Sequence, residues 1–159
     1  MNKTSIEWAD FTWNPICGCN NGCSYCYARR LAITRLAHLC PQCATFEPHL
    51  HEERLGQPYH GKAGVVFADS MSDWWSPGME QEWRTRAFRT MDGMGDPMPA
   101  HQYVLLTKRP ERITEEDLHW VGYNTWLGVS ITSGADWWRW ETLASLPGHI
   151  HKLVSVEPL

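Results

Sequence analysis

The chain has 159 residues, 43% of them hydrophobic and 20% charged, enough for one core of ordinary size and short of two comfortable domains. Its 14 basic and 18 acidic residues leave a formal net charge of -4, so no chain-wide basic field exists to hold a phosphate backbone indiscriminately. No apolar run approaches the roughly 18 residues of a membrane helix, and none follows Met1-Asn2-Lys3 as an export signal would; a soluble, cytoplasmic protein without a membrane partner is expected.

Phe11-Thr12-Trp13-Asn14, stopped by Pro15, reads as a first strand. From about Ser24, a cap candidate, Tyr27, Ala28, Leu31, Ala32 and Leu36 recur at helical spacing, so a cysteine-rich loop joins that strand to a helix. The stretch at about 39–63 has no clear period and reads as a Cys/His-rich insertion within a single domain spanning 1–159. Regular alternation follows: a strand at Gly64-Val65-Val66-Phe67-Ala68, a helix from Met79 to Met91, a strand at Tyr103-Val104-Leu105-Leu106, and a short helix from Pro110. A strand at Trp126 to Ile131, a helix near Ala135 to Ser145 and a strand at Lys152 to Val156 complete the chain.

Continuous apolar strands separated by helices indicate parallel βαβ units. Five strands fall short of a closed eight-unit barrel, which takes about 250 residues. The expected fold is therefore α/β, an open sheet or incomplete parallel (β/α) barrel. In such sheets reactive groups sit past the carboxyl ends of the strands. Those ends carry Cys17 to Cys26, Asp69-Ser70-Met71-Ser72-Asp73, Thr107-Lys108-Arg109, Ser130-Ile131-Thr132 and Glu157.

All six cysteines lie between Cys17 and Cys43. That crowding, with no export signal, points to metal rather than to a disulfide scaffold. Cys19, Cys23 and Cys26 have the spacing C-x3-C-x2-C, with Tyr25 just before the last. Three thiolates on one tight loop can hold three irons of a [4Fe-4S] cube and leave the fourth without a protein ligand. A competing arrangement is zinc on four cysteines, Cys23 and Cys26 with Cys40 and Cys43, at a spacing close to that of structural zinc sites. A separate zinc knuckle is offered by Cys40, Cys43, His49 and His51, whose four protein ligands would close the site and make it structural. Cys17 either substitutes for Cys19 or is a small buried hydrophobe beside the loop.

The cysteine spacing with its aromatic resembles the radical S-adenosylmethionine superfamily. More of the chain is similar to a narrower group: Ser5-Ile6-Glu7-Trp8, Thr12-Trp13-Asn14-Pro15, Gly18-Cys19, Cys26-Tyr27-Ala28, Asp69-Ser70-Met71-Ser72-Asp73, Leu106 to Arg112, Trp126 to Ser130 and Ser155-Val156-Glu157-Pro158-Leu159. Together these resemble the phage-encoded, radical-S-adenosylmethionine-like three-cysteine-motif proteins. Members of that group have a longer gap between the first two cysteines and continue past the last of these motifs, so the chain reads as a fragment or a minimal version.

The resemblance implies a [4Fe-4S] cluster on Cys19, Cys23 and Cys26 and reductive cleavage of S-adenosylmethionine to a 5'-deoxyadenosyl radical. It also implies a one-electron donor of the flavodoxin or ferredoxin type and, for a phage protein in a host cytoplasm, a nucleotide or nucleic-acid substrate. Asp69, Ser70 and Ser72 would accept hydrogen bonds from the cofactor's ammonium or ribose, unless they cap the next helix. Lys108, with Arg109, would meet its carboxylate, unless they pair with Glu111 and its neighbours at the surface. Ser130 and Thr132 would touch the adenosine, and Glu157 would face the same rim. The rival class is a non-enzymatic, zinc-stabilised module that binds protein or nucleic acid. Trp74-Trp75, Trp137-Trp138 and Trp140 are read mainly as core packing, and the remaining histidines as surface or packing residues.

Overall fold

The computed structural model describes residues 1–93 and 99–157; the Pro158-Leu159 end of the last motif lies outside them. Asn2–Lys3 (β1) pairs antiparallel with Phe11–Thr12 (β2). Ile16–Cys17 (β3) and His49–Leu50 (β4) form a separate antiparallel pair, with Cys17 opposite His49. Val65–Phe67 (β5), Gln102–Thr107 (β6), Thr125–Ile131 (β7) and His151–Val156 (β8) extend the main sheet beyond β2, all parallel. The six-stranded order is β1-β2-β5-β6-β7-β8. The fold is thus mixed α/β with a mostly parallel sheet, as the alternation of apolar strands and helices indicated, and the five parallel strands are those expected. The antiparallel β1 and the small β3–β4 pair were not.

The helices are Tyr27–Leu31 (α1), continued by a π-helical turn at Ala32–Leu36, then Pro41–Thr45 (α2), Gln81–Met91 (α3), Glu115–Trp120 (α4) and Trp138–Ala144 (α5). The first starts later than Ser24 suggested, because the cap is Cys26, whose Sγ accepts the Arg29 N–H at 3.3 Å. Pro110 opens a single 3-10 turn, Pro110–Arg112. The helix proper begins after Thr114, which forms a capping box with Asp117.

Period-two alternation gives the sheet two unlike faces. Val66, Ala68, Tyr103, Leu105, Leu127, Val129 and Ile131 join Phe88 and Met91 of α3 and Leu143 of α5 in the main core. Trp13, Trp74 and Trp75 are buried in that core, with ring centroids 6.3 Å apart for Trp13–Trp74 and 5.6 Å for Trp74–Phe88. Such aromatic pairs contribute about 0.5–1.5 kcal/mol each beyond their burial. Trp137 and Trp138 are exposed, which departs from the packing role expected of them: the chain begins its helix there, and both indoles fall on its outer side. The opposite face of the sheet carries a small cluster of Phe67, Val104 and Leu106, covered by Ala9 and Ile6 of the N-terminal segment instead of a helix. Its far end, at the carboxyl ends of the strands, stays open.

Candidate functional site

One cavity opens at those strand ends. It is lined by Cys19, Cys23 and Cys26 from the loop after β3, by Asp69, Ser70, Ser72 and Asp73 after β5, by Lys108 after β6, by Ser130 at the end of β7 and by Glu157 after β8. Tyr25, Tyr27, Phe46, Phe67 and Leu106 supply its apolar wall. The three cysteines and six of the eight strand-end residues proposed from sequence therefore share a single cavity. Arg109 is not among the lining residues: its Nε donates to Asn21 at 3.1 Å and its guanidinium approaches Glu111 at 3.8 Å. Thr132 is tied to Asp136, its hydroxyl donating to that carboxylate at 2.7 Å.

The cysteine loop is held by short-range backbone bonds. The Cys26 N–H donates to the Cys23 carbonyl at 3.3 Å, and the Asn21 N–H donates to Cys19 Sγ at 3.4 Å. Asn21 donates to Asp73 Oδ2 at 2.7 Å, and Asp73 in turn accepts from the Thr107 hydroxyl at 2.7 Å and the Lys108 N–H at 2.9 Å. Asp73 thus ties the cysteine loop to two strand ends. Asn14 does similar work, its Oδ1 accepting the Met71 N–H at 2.9 Å and its Nδ2 donating to Ser70 at 3.0 Å. The sequence places both in quoted motifs, Thr12-Trp13-Asn14-Pro15 and Asp69-Ser70-Met71-Ser72-Asp73, but assigns neither a role. Both follow or adjoin predicted strand ends, which is the signal that could have found them.

Asp69 is buried and caps no helix; its two oxygens accept the Leu106 N–H at 3.2 and 3.1 Å. Burial, then repulsion from Asp73, hold its carboxyl well above the usual carboxylate range, against the Leu106 hydrogen bond. Burial pushes the Cys19 thiol up to about 11, with the Asn21 N–H pulling the other way, so a metal would have to displace a firmly held proton there. Lys108 Nζ lies 5.9 Å from the Tyr25 ring centroid. Ser72 Oγ is buried with no hydrogen-bond partner among the described residues, although it lines the cavity; a group bound there would satisfy it.

A second centre lies beside the first. The ligand atoms of Cys40, Cys43, His49 and His51 all lie within 4.8 Å of one another, a group that could hold a metal ion. Cys40 Sγ and Cys43 Sγ are each 3.4 Å from His49 Nε2, and Cys43 Sγ is 3.4 Å from His51 Nε2. A tetrahedral zinc with ordinary bond lengths sets its ligand atoms about 3.3–3.8 Å apart; the three sulfur–nitrogen distances match, and the two Nε2 atoms, 2.9 Å apart, are closer than that. The four-cysteine alternative does not form: Cys23 and Cys26 face the cavity at the strand ends, while Cys40 and Cys43 pair with the two histidines. Cys17 is buried, its Sγ 3.3 Å from Arg54 Nη1 and outside both groups.

The fold and these two centres define an α/β domain whose parallel sheet ends in a cysteine-lined cavity, next to a Cys2His2 group able to hold a metal. The family model described as protein of unknown function (DUF5131) matches residues 3–159, and the chain belongs to that family. No curated protein and no solved structure matches it.

Proposed function

We propose that the chain is the core of a radical S-adenosylmethionine enzyme, with a [4Fe-4S] cluster on Cys19, Cys23 and Cys26 and the cofactor in the cavity beside them. The observation that carries this reading is the common cavity of the three cysteines with Asp69, Ser70, Ser72, Lys108, Ser130 and Glu157. The likeness of the cysteine spacing to the radical S-adenosylmethionine superfamily supports it, as do the other motifs shared with the phage-encoded three-cysteine-motif proteins, and the sheet is then an incomplete barrel, a reading favoured by strands that follow one another in chain order. When bound, the cluster and cofactor supply one-electron cleavage of the sulfonium, giving methionine and a 5'-deoxyadenosyl radical that takes a hydrogen atom from the substrate.

The chain's own residues bind and orient. Lys108 offers a cation to the methionyl carboxylate, Glu157 and Ser70 accept from the ammonium or ribose, and the unpartnered Ser72 hydroxyl has its hydrogen bond free for the cofactor. Phe67, Leu106 and Phe46 exclude water from the radical. The electron comes from a flavodoxin- or ferredoxin-type donor. Between Asp10 and Glu47 the sequence has no acidic residue, and Arg29, Arg30 and Arg35 are exposed there with Tyr25 and Tyr27. This local cationic and aromatic surface supports a phosphate-bearing substrate, a nucleotide or nucleic acid, despite the acidic whole. No helix of the described residues is long and apolar enough to cross a membrane, and the six unpaired cysteines favour a reducing, cytoplasmic setting.

The Cys2His2 group specifically favours a second reading, a zinc-stabilised module without catalysis. Anaerobic reconstitution with iron and sulfide separates the two. Brown protein with iron and acid-labile sulfide, lost in Cys23→Ala and kept in Cys17→Ala, supports the enzyme, as does 5'-deoxyadenosine on adding reductant and S-adenosylmethionine. Colourless protein holding only zinc after that treatment overturns it.

A further inference from the structure

The two centres are joined through the backbone. The chain from Pro15 to Cys19 leads into the three-cysteine loop, and the chain from Phe46 to His51 carries two of the Cys2His2 ligands. The Cys19 N–H donates to the Phe46 carbonyl at 3.3 Å, and the His51 N–H to the Pro15 carbonyl at 2.7 Å. Cys17 pairs with His49 in register. At Gly18 a side chain would meet the Glu47 carbonyl oxygen at 2.1 Å. Every residue from Cys17 to Cys19 therefore rests on the segment that holds the two histidines.

That segment packs Phe46 on Ala28 and Ala32 and Leu50 on the main core, but its regular structure is slight. The strands β3 and β4 have two residues each, α2 has five, and elements so short are not stable alone. Phe46 adopts a left-handed conformation, φ 61°, which non-glycine residues rarely take.

The imidazoles show what is needed to hold it. His49 Nδ1 is 2.7 Å from the Glu47 carbonyl oxygen and His51 Nδ1 is 2.9 Å from Glu53 Oε1. Both partners are acceptors, so each Nδ1 carries the proton and each Nε2 presents a lone pair. The two Nε2 atoms face each other at 2.9 Å, with Cys43 Sγ 3.4 Å from both. The two Nε2 lone pairs and the two cysteine sulfurs converge, a donor set able to hold a cation. Outer hydrogen bonds of this kind, one to a backbone carbonyl and one to a carboxylate, are how metal-bound imidazoles are oriented. The Cys43 N–H donates to Cys40 Sγ at 3.1 Å, fixing that sulfur on the same side.

We propose that Cys40, Cys43, His49 and His51 bind one tetrahedral zinc ion, and that this ion sets the conformation of the three-cysteine loop through Phe46, Glu47 and the β3–β4 pair. Zinc thus acts as a positioning element for the loop. The inference stands apart from the cluster chemistry, since it concerns only what shapes the loop.

The test uses the full chain carrying Cys19→Ser, Cys23→Ser and Cys26→Ser, which cannot hold a cluster, so that failure here is distinguishable from failure of the enzymatic reading. Metal is stripped by chelation and cobalt(II) added. One cobalt per chain is expected, with the visible bands of a tetrahedral ion and thiolate-to-metal charge transfer, competed out by zinc. Zinc should slow amide exchange at position 19 and at His51 by roughly tenfold or more, the two N–H groups that span the centres. Cys43→Ala in that background should abolish both effects. Should that variant not fold, His51→Cys keeps four ligands and should strengthen the charge-transfer band by adding a third thiolate. Absent tetrahedral bands, an unaltered spectrum in His51→Cys, or exchange at position 19 indifferent to bound zinc would each overturn the proposal.

Discussion

Asp69 and Asp117 are both buried carboxyls, and their surroundings push them in opposite directions. Burial works against the ionised form of Asp117, but Arg84 Nε at 2.8 Å, the Thr114 N–H at 2.9 Å and the Trp75 indole N–H at 3.0 Å outweigh it and hold the carboxyl below its usual range. The Arg84 side chain also donates to Gln81, to the Trp74 carbonyl and to the Met79 carbonyl. Removing the acid leaves a buried guanidinium without its counter-charge, so Asp117→Ala should lose about 3–5 kcal/mol in urea unfolding. Its contribution is present above about pH 4, where the unfolded chain's carboxyl is ionised, and is lost as pH falls through the lower native value. Asp69 has the reverse sign. With its native value raised, its contribution is complete below about pH 4 and is lost as pH climbs from there toward that higher value. The acid limb of the stability curve should therefore flatten in Asp117→Asn, and the fall on the alkaline side of pH 4 in Asp69→Asn. Unfolding free energies measured from pH 3 to pH 8 would separate the two, and parallel curves for either variant and the parent would refute that residue's assignment.

Elements made of continuous apolar residues could be read from the sequence, because each reports its own burial: β5 to β8 fall within a residue or two of the expected spans. What could not be read is whatever depends on contact between distant segments. The two-residue strands β3 and β4 contain a cysteine and a histidine and have no pattern of their own; they exist because Cys17 lies against His49. The start of α1 was misplaced because Ser24 is the better cap by residue type, whereas the loop aims Cys26 Sγ at the Arg29 N–H. In the site, the strand-end residues and the C-x3-C-x2-C loop were legible from alternation and spacing, while Asn14, Asn21 and Asp73 act through partners more than 50 residues away along the chain. Gly18 and Gly22 make the distinction measurable. Both have positive φ, 85° and 71°, but a side chain at Gly18 strikes the Glu47 backbone whereas nothing lies near Gly22. Gly22→Ala should lose about 1–2 kcal/mol, the left-handed cost alone. Gly18→Ala should lose clearly more, since a backbone carbonyl cannot swing aside. At about 2–4 °C per kcal/mol for a chain of this size, thermal unfolding resolves the difference, and equal midpoints would mean that the two loops are not pressed together.

The molecule as a whole divides its sheet into a face that makes stability and an end that makes a site. Helices α3 and α5 cover one face, the N-terminal segment covers part of the other, and the carboxyl ends of the strands are left to polar side chains around the cavity. The net charge of -4 conceals a similar division, since the stretch without acids between Asp10 and Glu47 lies beside that cavity. This architecture lets the binding role proposed for a rim residue be separated from its role in the fold. Lys108 is suited to the test: its structural bond is made by its backbone N–H to Asp73 at 2.9 Å, which alanine retains, while its ammonium stands over the Tyr25 ring at the cavity edge. In protein reconstituted anaerobically, Lys108→Ala should weaken S-adenosylmethionine binding by about 10- to 100-fold, the worth of a charge-assisted hydrogen bond at about 1.5–3 kcal/mol. Ser72→Ala should weaken it by about fivefold, as a neutral hydroxyl contributes about 1 kcal/mol, and its thermal midpoint should stay the same or rise because a buried unpartnered group has been removed. Equilibrium dialysis gives both affinities. If Lys108→Ala bound the cofactor as tightly as the parent, the carboxylate would have to lie elsewhere, and the cavity at the strand ends would lose its assignment as the cofactor site.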